Sequence, residues 1–332
     1  MSRVKSFMAV GVMTMLALTS FAQVSKAANY PAKPLDFVAP AGAGGGWDLT
    51  IRTVAKTLKD TKLVKVPMPV RNNPGAGGAI NLAGLQEKKG SENIVTVYSP
   101  PLLLINLNGT TELSYKDLTP LARLIADYGV FVVAADSPYK SIAEVMDALK
   151  KDIKSVKIGG TSSAGSMDHI QFLIMAKAAG VENLKDIDYI SFDDGSGAAQ
   201  VLGGHITLYS TGIGEVRGLL ESKDLRALAQ TAEHRVGEGV IAEIPTCIEQ
   251  GINENFINWR GLFGAPGMPE EIAAFWQDTL KKMDETPEWQ AACKTNGWDQ
   301  VFLAGSEFVT YLEEMNEKYK VILDAIGMLK AQ

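Results

Sequence analysis

The chain has 332 residues, 46% of them hydrophobic and 21% charged, too many for one core of ~250–300 residues and too apolar a mix for disorder. Lys and Arg number 32 against 38 Asp and Glu, and the net charge of −6 lacks the basic excess of a nucleic-acid binder.

The N-terminus reads as a secretory signal peptide over residues 1–27. Arg3 and Lys5 precede an apolar run from Phe7 to Leu18, and two small-x-small sites follow, Ser20-Phe21-Ala22 and Ser25-Lys26-Ala27. The run is shorter than the ~20 residues a membrane span needs. Cleavage is expected after Ala27, and loss of Arg3, Lys5 and Lys26 takes the formal charge from −6 to −9.

Beyond Ala28 short apolar runs alternate with helical stretches. Leu35–Ala39 is a predicted strand, Asp48–Leu58 a helix, Met68–Arg71 a strand, Ala79–Glu87 a helix and Ile94–Tyr98 a strand. Leu121–Ile125 and Val130–Ala134 read as two strands on either side of Asp127-Tyr128-Gly129. Ser141–Lys150 is a helix, with Ser141 and Glu144 at capping-box spacing. Strands Val156–Gly159, Asp188–Phe192, Ile206–Ser210 and Arg226–Gln230 follow, interleaved with helices from about Asp168 to Ala179, up to Leu202, and Glu215–Glu221. From Gly251 to Pro269 the chain is loop and strand, and helices Glu270–Asp284 and Ser306–Ile326 close it. Repeated strand–loop–helix units predict a parallel α/β fold. The expected division is a first lobe from residues 28–129 and 257–332 and a second from residues 130–256.

Two strand-to-helix loops stand out. Gly44, Gly45 and Gly46 lead into Asp48, where glycines let an anion approach backbone N–H groups at a helix start. A structural turn is the plainer alternative, with Asp48 a simple cap. The Gly-Lys-Ser/Thr of a P-loop is missing, and Trp47 stands where a dinucleotide fingerprint needs its third glycine. Gly45→Val is expected to abolish binding through crowding and unusual backbone angles. The second loop, Thr161 to Asp168, offers the hydroxyls of Thr161, Ser162 and Ser166 beside Gly165, more than one helix cap requires. Ser99, Asp193 and Gly212 lie in weaker loops at the same stage of the cycle, beyond the carboxyl ends of strands.

Signals for catalysis are poor. His169, His205 and His234 have no metal-ligand spacing with each other or with Cys247 and Cys293, so neither metal nor cofactor is expected. Ser166 lacks a Gly-x-Ser-x-Gly frame, although His169 lies three residues on. The two cysteines form one bridge or stay as buried free thiols, the latter preferred.

Further residues carry a resemblance. Tyr30-Pro31-x-Lys33-Pro34-Leu35, the stretch Pro40 to Asp48, and Asn73-Pro74-Gly75-Ala76-Gly77-Gly78 resemble the substrate-binding proteins of tripartite tricarboxylate transporters. Ala135 to Ser141, Gly160-Thr161-x-x-Ala164-Gly165-Ser166, Arg226 to Ala229 before Ile244-Pro245-Thr246, and Trp259 to Pro266 extend it across the chain. One departure is Asn72, an added residue where the family commonly has a single Asn before Pro-Gly. The resemblance implies a two-lobed periplasmic-binding-protein fold of type II, closing on a carboxylate held by backbone N–H groups, small hydroxyls and water. It implies a monomeric periplasmic receptor that binds no nucleic acid and delivers a tricarboxylate, with citrate the expected ligand, to membrane permease subunits. An exported hydrolase using Ser166 and a ligand-presenting sensor module are the competing readings.

Overall fold

The computed structural model describes residues 29–192 and 196–331; the expected leader and Asp193 lie outside the described residues. Three strand–helix units open the fold: β1 (Asp36–Ala39) with α1 (Gly46–Asp60), β2 (Val70–Asn72) with α2 (Ala79–Gln86), and β3 (Ile94–Tyr98) with α3 (Pro101–Leu107). β1 pairs with β2 and β3 in parallel. Every residue of β3 is buried, as expected of a strand covered on both faces. α1 buries Ile51, Val54 and Leu58 against Phe37, Val95 and Val97. α3 has no helical stripe; its Leu102–Ile105 run is apolar all round and buried, which explains why periodicity alone missed it.

β4 (Thr119–Ala134) is one strand of 16 residues where the sequence suggested two. Asp127-Tyr128-Gly129 does not break it, because Tyr128 is buried and pairs with a strand from the far end of the chain. A second series follows: α4 (Ile142–Lys151), β5 (Ile158–Gly160), α5 (Met167–Ala178), β6 (Tyr189–Ser191), α6 (Gly197–Leu202), β7 (Leu208–Gly212), α7 (Ile213–Glu221) and β8 (Leu225–Gln230). Ser141 caps α4 by accepting the Glu144 N–H, while the Glu144 carboxylate accepts from Lys140 N. β9 (Ile257–Gly264), α8 (Glu270–Asp284), α9 (Pro287–Asn296), β10 (Asp299–Ala304) and α10 (Gly305–Ala325) complete the chain.

The fold is mixed α/β, in two halves joined through one sheet. Parallel strands occupy its outer parts, β2-β1-β3 and β7-β5-β6. The centre is antiparallel, correcting the all-parallel expectation. β9 runs antiparallel to β3 and to the first half of β4, from Thr119 to Tyr128. The second half of β4, from Gly129 to Ala134, pairs with β7 and β8. One strand is therefore shared by both halves of the sheet. β10, unpredicted, pairs with β4 as well. α10 packs on α3 and β4 and reaches α5, bringing Tyr319, Ile322 and Leu323 into the core beneath Trp259. Trp259, Trp276 and Trp289 are fully enclosed, consistent with core roles. Cys247 and Cys293 are free, buried thiols in different clusters.

The two halves of β4 meet at Gly129, whose N–H donates to Thr231 Oγ1 at 2.9 Å. A Cβ there would stand 1.9 Å from Gln171 Oε1. Gln171 cannot easily yield: it is buried, and its Nε2 donates to Ser210 Oγ at 2.8 Å. Gly129→Ala is accordingly expected to cost about 1–3 kcal/mol of overpacking, read as a lower midpoint with unchanged slope in urea unfolding.

Candidate functional site

The glycine-rich loop turns through the Gly45 N–H bond to Gly42 O at 3.2 Å. Gly44 has φ +83, a conformation that favours glycine, whereas Gly45 has an ordinary extended φ of −69 as the N-cap of α1. The backbone constraint therefore lies at Gly44, which corrects the reason given for Gly45. Asp48 shapes this loop from below. Its Oδ2 accepts the Gly44 N–H at 2.9 Å, and its Oδ1 accepts Arg52 Nε and Asn72 Nδ2, each at 2.8 Å. The Arg52 bond above all holds the carboxyl down at about 2, far below its usual range. Asn72 also donates to Ala41 O at 2.9 Å, so this added residue braces the loop.

The second loop is built on the same frame. Gly165 has φ +77, Ser166 is the N-cap of α5, and the Ser166 N–H turns back to Ser163 O at 2.9 Å. His169 takes the place Asp48 has in the first loop: its Nδ1 accepts the Gly165 N–H at 2.9 Å. That bond assigns the ring proton to Nε2, which has no partner among the described residues. The ring is buried and stacks on Tyr189 at 4.3 Å, and burial lowers its pKa to about 4. Nδ1 is thus unavailable to Ser166, and the Ser166–His169 pairing that a hydrolase reading requires is not formed.

Asp168 gathers its own loop. Its Oδ2 accepts Thr161 N at 2.9 Å, Ser162 N at 2.9 Å and Thr161 Oγ1 at 3.0 Å, while Ser162 Oγ accepts the Asp168 N–H at 2.8 Å. Burial pushes the carboxyl upward against the pull of these donors.

Both loops open onto one cavity of about 210 Å³. That is below the ~300–1,000 Å³ of drug-sized sites and suits a small metabolite. Of the sequence candidates, Gly46, Ser99, Thr161, Ser162, Asp168 and Gly212 line it. Gly44, Gly45, Asp48, Gly165 and Ser166 are not among the residues that line it, and Asp193 lies outside the described residues. Ser99 Oγ accepts the Trp47 indole N–H at 2.9 Å, fixing one corner. The starts of three helices, α1 at Gly46, α5 at Met167 and α7 beside Gly212, converge on the space.

Residues that sequence reasoning passed over form the floor. Arg260 on β9 bonds Asp127 on β4, Nη2 to Oδ2 at 2.8 Å, with side chains only 8% and 14% exposed. Gln171, Asn258 and Glu215 complete the lining. The available signal was charge: an Arg inside the apolar run Ile257–Gly264 and an Asp inside Thr119–Ala134 are costly to bury unless they pair. Arg260 also dictates Gly46, where a Cβ would stand 2.4 Å from Arg260 Nη1. Among the described residues no three His, Cys, Asp or Glu side chains gather as a metal cage.

Residues 50–328 match the family described as the Tripartite tricarboxylate transporter family receptor. The chain belongs to that family. The receptor is 25% identical over 321 residues to the "UPF0065 protein in gbd 5'region" of Cupriavidus necator, covering 96% of this chain and 94% of the relative. A TctC solute binding protein from Polaromonas, solved without ligand, shares 26% identity with a TM-score of 0.69 over 89% of this chain and 99% of that one. An R. palustris protein solved with adipate shares the fold at 18% identity and a TM-score of 0.77, over 90% of this chain and 98% of that one.

Two outcomes follow for the receptor's loops. Gly46→Ala is expected to displace the buried guanidinium and cost about 1–3 kcal/mol, while Gly45→Ala stays within about 1 kcal/mol of wild type in parallel urea melts. His169 has a folded pKa of about 4 against a usual value of 6.5, so its contribution is present above pH 6.5 and lost as pH falls through 4. His169→Gln should flatten the fall in stability over that interval, measured by thermal melts at stepped pH.

Proposed function

We propose that the receptor captures a small di- or tricarboxylate, citrate first among candidates, in the periplasm and delivers it to membrane permease subunits of a tripartite transporter. The observation that carries this reading is the convergence of three helix starts on one cavity. Helix N-termini carry unpaired N–H groups and a partial positive charge, and anions are stabilised there. Under this reading the Gly46 and Gly212 backbone and the Ser162 hydroxyl face the carboxylate, the Thr161 donors and the Ser162 N–H being committed to Asp168, and Ser99 and Arg260 set the ends of the pocket. Membership of a receptor family supports delivery, and the adipate-bound relative of the same fold supports the ligand class. No described helix is long and apolar enough to cross a membrane.

The test is a thermal-shift panel of di- and tricarboxylates, followed by calorimetry. A true ligand at a hundredfold excess over its Kd stabilises the fold by ~2.7 kcal/mol, an upward shift of several degrees. Citrate recovered chemically unchanged after long incubation, together with a smaller radius of gyration in small-angle scattering, is the expected result. A panel in which no carboxylate raises the melting temperature would sink the proposal, and turnover of the ligand abolished by Ser166→Ala would replace it with the hydrolase reading.

A further inference from the structure

The described lining of the cavity holds three carboxyl groups and one guanidinium. That balance is unexpected for a polyanion site, and two of the carboxyls account for themselves. Asp127 is paired with Arg260. Asp168 takes three donors of its own loop on Oδ2. Glu215, in the first turn of α7, is different. Its Oε2 accepts the Thr211 hydroxyl, and among the described residues its Oε1 accepts nothing and lies beside Gly212 on the cavity wall. The Glu215 side chain is exposed to solvent by its surface area, although protein from both halves of the sheet stands close around the cavity it lines.

Among the described residues the charged and titratable groups facing Glu215 are few. Asp168 faces it from α5, Asp127 from β4 and Arg260 from β9, and Tyr209 stands beside it on β7. Tyr128 lines the same space with its hydroxyl committed to Asp299 on β10. On its own helix Arg217 pairs with Glu221, and Arg226 on the neighbouring β8 donates to the carbonyls of Ser137 and Tyr139. Among the described residues one cation, already shared with Asp127, opposes two further carboxylates. A ligand carboxylate entering here would meet Glu215 as a like charge, unless Glu215 carries a proton.

We propose that Glu215 binds the ligand as a carboxylic acid, its Oε1 hydroxyl donating to a ligand carboxylate, so that each capture brings one proton into the cleft. The assignment rests on the carboxylate reading above. The proton comes from solvent as the anion arrives, and it converts a repulsive contact into a hydrogen bond to a charged acceptor. The group is poised for this: its pKa is pushed up to about 7 by desolvation first, then by the charge of Asp168, with Thr211 and Arg260 opposing. An incoming anion raises it further.

Calorimetry with citrate at pH 7.5 and 8.5 tests the assignment, because citrate's own carboxyls are almost wholly ionised in that interval. Each pH is run in two buffers of different ionisation enthalpy. Wild type is expected to take up close to one proton and to lose nearly tenfold in affinity between the two pH values, as one coupled proton requires. Glu215→Gln, which donates without titrating, is expected to bind equally at both values and more tightly than wild type at pH 8.5. A wild-type affinity independent of pH and buffer overturns the proposal without help from any variant. A Glu215→Gln affinity more than tenfold weaker at both values also overturns it, since Glu215 would then act as an ionised acceptor. Absence of any citrate heat in both proteins removes the citrate reading and this assignment with it, an outcome distinct from the other two.

Discussion

The ion pair between Arg260 and Asp127 fixes much of the rest of the receptor. Two charges this buried are tolerated only together; removing one partner of such a pair typically costs about 3–5 kcal/mol. Their bond ties β9 to β4 beside Gly129, where the two halves of the sheet meet. The guanidinium also occupies the space a side chain would need at residue 46. The start of α1 thus comes down onto the floor of the cleft, and the glycine run is required as much by packing as by any ligand.

The walls above that floor use one local device twice. In each half a strand ends, a glycine with positive φ reverses the chain, and the side chain three residues past the N-cap takes the N–H of that glycine. Asp48 performs this as an anion anchored by Arg52 and Asn72, His169 as a neutral ring stacked on Tyr189. These acceptors hold each loop from behind, and in the second loop Asp168 also takes the Thr161 N–H, the Thr161 hydroxyl and the Ser162 N–H.

Much of this was legible in the sequence. β3 and α8 keep their expected bounds, and most other predicted elements shift by one to three residues, since apolar periodicity and Gly/Pro punctuation are local signals. The antiparallel centre was not legible. β9 and β10 come from the far end of the chain, and nothing local to Thr119–Ala134 announces that partners from residues 257–264 and 299–304 will flank it. α9 was missed although Thr286 caps it, accepting the Trp289 N–H, ahead of Pro287. At the site, glycines and hydroxyls drew attention to the loops, but the sequence does not show that the Asp48 carboxylate turns back onto its own loop and onto Arg52 and Asn72. Arg260, Asp127 and Glu215 acquire meaning through positions 45 to 133 residues apart, a relation no linear reading displays.

β4 carries a mechanical consequence. No flexible loop separates the halves at residue 129; a single hydrogen-bonded ribbon passes through both. Relative motion of the halves must then be stored as twist in that ribbon, with a restoring torque that grows with angle. Any change in the angle between the halves therefore has to pass through the backbone of these sixteen residues and bend a hydrogen-bonded sheet, where a tethering loop would yield freely.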